Sequence, residues 1–147
     1  MSDEQPRGRA LFAYGTLLFP SVLERVLGRR PSASPAKVNG FAARTMRDAT
    51  YPGMVTSATD SVLGALLDDL TTSELELLDA YEGWPYERVE LDALTPSGER
   101  VRASAYVVDE RHVSGDVWSQ DEFVDQHLEQ FLRGLAVTEP SDARDQV

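Results

Sequence analysis

The sequence contains no cysteine and only two histidines. The first absence excludes disulfides, a thiolate nucleophile and cysteine-ligated metals. The two histidines, His112 and His127, form neither H-E-x-x-H nor any other close ligand pair. His127 lies on an apolar helical stripe and reads as a packed residue. No apolar run reaches the length needed to cross a membrane. Basic residues are also scarce: 14 Lys and Arg against 25 Asp and Glu give a formal net charge of −11. That balance argues against nucleic acid or an anionic membrane as partner. It does not exclude a small anion, which responds to local backbone dipoles more than to distant surface charge. There is no G-x-G-x-x-G, no G-K-[ST], no G-x-S-x-G elbow and no calcium-loop spacing. What survives is chemistry within reach of a carboxylate and backbone amides, with no metal or cofactor called for.

At 147 residues, 41% of them hydrophobic, the chain suits one domain with a sizeable core. The expected bounds are residues 9–135, with flexible ends at 1–8 and 136–147. The opening residues are polar and lack an apolar signal core, so a cytoplasmic location is the expectation. No repeat or low-complexity segment is present, and no interface periodicity settles whether the chain forms a homodimer.

The organising stretch is Leu77 to Arg88. Before it, Thr71 and Glu74 have the spacing of a capping box, and Leu70 is placed to staple onto Leu75. Leu75, Leu78 and Tyr81 recur at steps of three, with Leu77 widening the stripe, which predicts a helix with one core-facing side. Gly83 is placed to take a left-handed C′ conformation and Pro85 blocks continuation, so the helix should end at Glu82. A carboxylate at the negative pole of a helix, shielded by Tyr81, Trp84 and Tyr86, would have a raised pKa and suit a general base. Alternatively, Glu82 faces solvent and Gly83 is only a cap. Asp79, three residues earlier, could share a face with Glu82 as in a glycosidase pair, but reads more simply as a surface or cap-supporting residue.

Leu11 to Tyr14 reads as a buried strand, broken by Gly15 and Thr16 before a helix that opens at Pro20, carries Val22, Leu23, Val26 and Leu27, and stops at Gly28. This strand, glycine turn and helix would gather backbone N–H groups able to hold a carboxylate or phosphate, or would be a plain tight turn. A strand is expected within Val38–Met46, with a bend or bulge at Gly40. Asp48 to Gly53 should be a turn with Pro52 and Gly53 at its centre, followed by only brief extended structure at Met54–Val55. Tyr51 could line a pocket or cover a barrel end. Val62 to Leu67 reads as a central strand covered on both sides, with Gly64 allowing a close approach. A hairpin follows from Tyr86 to Val108 around Thr95–Gly98, with Tyr106 on a face shared with Arg102 and Ser104. Its hydroxyl could face a pocket, or Tyr106 could be an ordinary core or surface tyrosine. Trp118 is a packing anchor ahead of a second capping box, Ser119 to Glu122, and a helix carrying Phe123, Val124, Leu128 and Phe131.

Taken in order, Tyr14-Gly15-Thr16-Leu17, Tyr51-Pro52-Gly53, Leu78-Asp79-Ala80-Tyr81-Glu82-Gly83, Tyr86-Glu87-Arg88 and Ala105-Tyr106-Val107 resemble the gamma-glutamylcyclotransferase-like superfamily. The resemblance is closest to its AIG2-like and gamma-glutamylamine cyclotransferase branch. It implies an α+β fold, a small mixed β-barrel with flanking helices. It further implies an anion-binding loop at Tyr14, Gly15, Thr16 and Leu17, a proton-transferring Glu82, and Tyr106 near the pocket with Tyr51, Trp84 and Tyr86 as candidate walls. Arg88 matches a position best read as a structural ion pair. The implied reaction is cofactor-free: the α-amine of a gamma-glutamyl amine or peptide attacks its own γ-carbonyl, releasing 5-oxoproline. A non-catalytic small-ligand-binding or interaction protein with the same pocket is the alternative.

Overall fold

The computed structural model describes residues 9–119. Strand β1 (Arg9–Ala13) leads into a 3-10 turn, Gly15–Leu18, and helix α1 (Pro20–Leu27). A long hairpin of β2 (Ala33–Met46) and β3 (Pro52–Leu70) follows, then helix α2 (Thr72–Glu82), the hairpin β4 (Glu87–Leu94) and β5 (Arg100–Val107), and the short β6 (Val113–Val117). The sheet order is β3-β1-β5-β4-β2-β6, and β2 also pairs with β3, so the first five strands close into a barrel and β6 extends from β2. All pairings are antiparallel except β1 with β5, where Leu11 lies opposite Ser104. This is the α+β mixed barrel that the motifs imply.

Alternation along β1 divides the core in two. Leu11 and Ala13 face the helices with Leu70, Leu75, Leu78, Val22 and Leu23, while Phe12 and Tyr14 point into the barrel with Met54, Val62, Leu66 and Ala105. Successive side chains of a strand point to opposite faces, so one five-residue element serves both layers. Gly64 lets β1 pass: a Cβ there would lie 2.2 Å from the Ala13 carbonyl oxygen and 2.8 Å from Phe12.

Three expectations are corrected. Extended structure after Pro52 is not brief, because β3 runs unbroken for 19 residues. Its polar middle bulges away from the ladder: Thr56 pairs with Phe41 and Ser61 with Asn39, so residues 57–60 stand opposite Gly40 alone, and Ser57 Oγ donates to Asp60 at 2.7 Å. The stretch from Val62 to Leu67 is covered on both sides only at its end, where Leu66 is buried in the barrel and Leu67 under the helices, while Leu63 is 76% exposed on the outer face. The turn after β2 closes earlier than expected, with Asp48 at φ 58° and the Met46 N–H on the Tyr51 carbonyl. Pro52 and Gly53 already belong to β3.

Helix α2 follows its sequence closely. Thr71 and Glu74 form the reciprocal capping box, with both bonds at 3.1 Å, and the last helical residue is Glu82. Leu77 does not widen the buried stripe: it is 49% exposed, since at 100° per residue it points well away from both Leu75 and Leu78. Gly83 has the positive φ expected of it, but at ψ −178° it lies outside the left-handed helical well. Its N–H still bonds the Asp79 carbonyl at 3.0 Å. The predicted helix after Ser119, with His127, lies outside the described residues, as do residues 1–8 and 136–147, for which flexibility was the expectation.

Candidate functional site

The end of α2, the end of β5 and the turn after β1 converge on a cavity of about 310 Å³. Each arrives there for a local reason. Gly15 takes φ +66°, and a Cβ on it would meet Pro52 Cγ at 2.5 Å, so only glycine lets the chain turn beside the start of β3. The 3-10 turn that follows opens with the N–H groups of Gly15 and Thr16, which have no acceptor within the turn itself. Gly83 ends α2 with Glu82 in its last turn, and the chain returns through a Gly83–Tyr86 turn closed by the Tyr86 N–H on the Gly83 carbonyl at 2.9 Å.

Of the residues singled out in the sequence, Tyr14, Thr16, Leu17, Tyr51, Glu82, Trp84, Tyr86 and Tyr106 all line this one cavity. Gly15 does not; it shapes the turn against Pro52. Trp84 stands at the rim, 84% exposed, with its ring edge-on to His112 at 5.1 Å.

Glu82 is, among the described residues, the sole charged side chain lining the cavity. Among the described residues it has no ion pair and no side-chain hydrogen bond. Burial disfavours its anion and pushes its pKa up to about 8. Its tyrosine neighbours are raised as well: burial first, then the Glu82 charge, lifts Tyr14 and Tyr86, and the same two effects act on Tyr81 and Tyr106 alongside their own hydrogen bonds. The site therefore holds a proton-exchanging carboxyl among neutral phenols.

Those phenols have fixed partners. The Tyr14 hydroxyl donates to the Tyr106 carbonyl and accepts from the Met54 N–H at 3.0 Å. Tyr86 donates to the Pro52 carbonyl at 2.7 Å, and Tyr81 shares a 3.1 Å hydrogen bond with the Thr16 hydroxyl. Tyr106 is a cavity wall whose hydroxyl turns aside to donate to Asp79 Oδ1 at 2.7 Å.

Asp79 is thus more than a surface or cap-supporting residue. It accepts from Tyr106 and also from Arg88, whose Nε and Nη2 reach its two oxygens at 2.8 and 3.1 Å. Burial alone would raise the Asp79 carboxyl, but the bonds from Arg88 and Tyr106 together hold it below the usual range. Arg88 forms the structural ion pair expected of it. Sequence reasoning missed the Asp79 and Pro52 roles; the signal was their place inside the same short motifs as Glu82 and Tyr51. Among the described residues no group of three or more His, Asp or Glu is arranged to hold a metal ion.

Comparison with known proteins gives the family and the fold. A family model described as gamma-glutamyl cyclotransferase, AIG2-like, matches residues 11–124. Protein AIG2 C of Arabidopsis thaliana is 29% identical over 136 residues, covering 90% of this chain and 82% of that one. The solution structure of an Arabidopsis thaliana protein, 27% identical, superposes with a TM-score of 0.70 over 93% of this chain and 85% of its own. A gamma-glutamyl cyclotransferase structure at 18% identity shares the fold, with a TM-score of 0.59 over 95% and 92% of the two chains.

Proposed function

Because the chain belongs to the gamma-glutamyl cyclotransferase, AIG2-like family, we propose that it cleaves a gamma-glutamyl amine or peptide by intramolecular cyclisation, releasing 5-oxoproline and an amine. The observation that carries this reading is Glu82: a carboxyl without a charged partner among the described residues, inside a ligand-sized cavity, with its pKa raised to about 8.

In the proposed reaction main-chain N–H groups of the Gly15–Leu18 turn, which reaches the cavity at Thr16 and Leu17, hold the substrate α-carboxylate, and the α-ammonium lies toward Glu82. That cation favours the Glu82 anion, so binding itself prepares the base. Glu82 takes a proton from the ammonium, and the freed amine attacks the γ-carbonyl carbon. The tetrahedral intermediate collapses as the bond to the departing nitrogen breaks and Glu82 returns its proton there. The ring nitrogen gives up a second proton, leaving a neutral lactam and an ammonium product. Nucleophile and electrophile belong to one molecule, so orientation replaces a covalent enzyme intermediate. One titrating group is enough.

The test is 5-oxoproline release from a panel of gamma-glutamyl amines and dipeptides. Glu82→Gln, which keeps size and polarity, should fold and lose about 10²–10⁴-fold in turnover. Turnover by that variant close to the parent rate rules out Glu82 as the shuttle.

A further inference from the structure

Among the described residues Glu82 has no side-chain partner, so within them its direction is set by the backbone at the end of α2. That end is tied down three residues earlier, less than one helical turn away. Asp79 grips Arg88 of β4 through two bonds at 2.8 and 3.1 Å, a planar fork on a carboxylate, and takes the Tyr106 hydroxyl of β5 at 2.7 Å. The path continues, since the Tyr106 carbonyl accepts from Tyr14, whose hydroxyl accepts from Met54 of β3. One run of hydrogen bonds therefore joins the helix that carries Glu82 to the strand that feeds the Gly15–Leu18 turn. Proton acceptor and main-chain donors are registered to the same frame.

We infer that Asp79 is a positioning residue, whose clamp on Arg88 and Tyr106 fixes the last turn of α2 against the barrel and so keeps the Glu82 carboxyl inside the cavity. Its effect on turnover rests on the proposed role of Glu82, but its effect on the burial of Glu82 does not. The molecule supplies its own control. At the far end of α2, Arg29 makes a comparable fork on Glu74, at 2.6 and 2.7 Å. Both clamps hold the same helix, and only one is next to Glu82.

The readout is the titration of the Glu82 carboxyl, followed by NMR on protein carrying labelled glutamate and assigned by its loss in Glu82→Gln. Among the described residues the titratable groups lining the cavity with it are Tyr14 just after β1, Tyr51 from the turn before β3, Tyr81 from α2, Tyr86 from the turn before β4 and Tyr106 from β5. Tyr14, Tyr81, Tyr86 and Tyr106 are pushed upward and stay neutral across the range. In the parent the midpoint should lie near about 8. In Tyr106→Phe, which changes no charge, and in Asp79→Ala, it should fall toward the ordinary carboxylate value as water reaches the side chain. Arg29→Ala should leave it in place. Where 5-oxoproline is released, kcat in the first two variants should drop about 10²-fold, as for a misplaced group, with KM little changed. Asp79→Asn, which keeps an acceptor for Tyr106, should lie between Asp79→Ala and the parent. A shift in Asp79→Ala without one in Tyr106→Phe would mean charge alone is at work and would overturn the inference, as would an equal shift in Arg29→Ala. If Asp79→Ala does not fold, Tyr106→Phe and Asp79→Asn decide. A parent that releases no 5-oxoproline refutes the reaction and leaves the titration to judge Asp79.

Discussion

Burial gives Glu82 two opposite effects on the protein. With a folded-state pKa of about 8 and an unfolded one of about 4.3, it is protonated in both states at low pH and contributes nothing there. As pH rises between those values the unfolded chain releases its proton first, so the folded state binds more protons and stability falls until about pH 8, then levels. Glu82→Gln should therefore raise Tm by an amount that grows from pH 5 to pH 8, while removing turnover. An equal Tm change at both ends of that range would show that the carboxyl is not buried as described. For the parent, kcat/KM should climb on an acid limb near pH 8. The residue type and its helix-end location were legible in the sequence, because a capping box and Gly83 bracket it. Its cavity neighbours were named too, but not their bonds. The hydroxyls of Tyr14 and Tyr86 end on carbonyls 92 and 34 residues away, and no local pattern encodes such partners. Gly83 was legible only as a terminator. Its φ of 65° and ψ of −178° belong to a region that glycine alone occupies comfortably. With the nearest atom to an added Cβ 3.9 Å away, Gly83→Ala should cost about 1–3 kcal/mol from backbone strain rather than crowding, measured as a lowered denaturant midpoint.

Helix α2 was readable because its signals are local: a cap, a three-residue apolar step and a stop. Removing the cap with Thr71→Ala frees the Glu74 N–H and leaves the Glu74 side chain on Arg29, so the loss should be about 1 kcal/mol in equilibrium unfolding. A loss several times larger would mean that the box also holds α2 to the loop after α1. Strand β3 was not readable as one element. Thr56 to Ser61 is polar and carries an inserted turn, so the hydrophobic pattern stops where the strand does not. The backbone ladder to β2 resumes at Ser61 beyond the bulge, and that resumption has no side-chain signature. The two-sided burial expected of Val62 to Leu67 failed at Leu63 for a related reason. A nearly unbroken apolar run resembles a sandwiched strand, but in a closed barrel only one face is inside, and Leu63 points out.

At the scale of the molecule, closure of five strands brings distant motifs to one barrel end, and the order of those motifs along the chain was enough to indicate the fold. The aromatic walls were named from the motifs, but not that one of them would stand out at the rim. Trp84 stands there almost fully exposed beside His112, and the chain has two tryptophans. The second, Trp118, donates its indole N–H to the Thr50 carbonyl at 2.8 Å. In a Trp118→Phe background, indole emission would come from the mouth alone. A ligand settling against Trp84 should then shift that emission to shorter wavelength and shield it from iodide quenching, and the same titration would return Kd for compounds that are never turned over. The entrance thus carries a built-in optical gauge of occupancy, independent of any product assay.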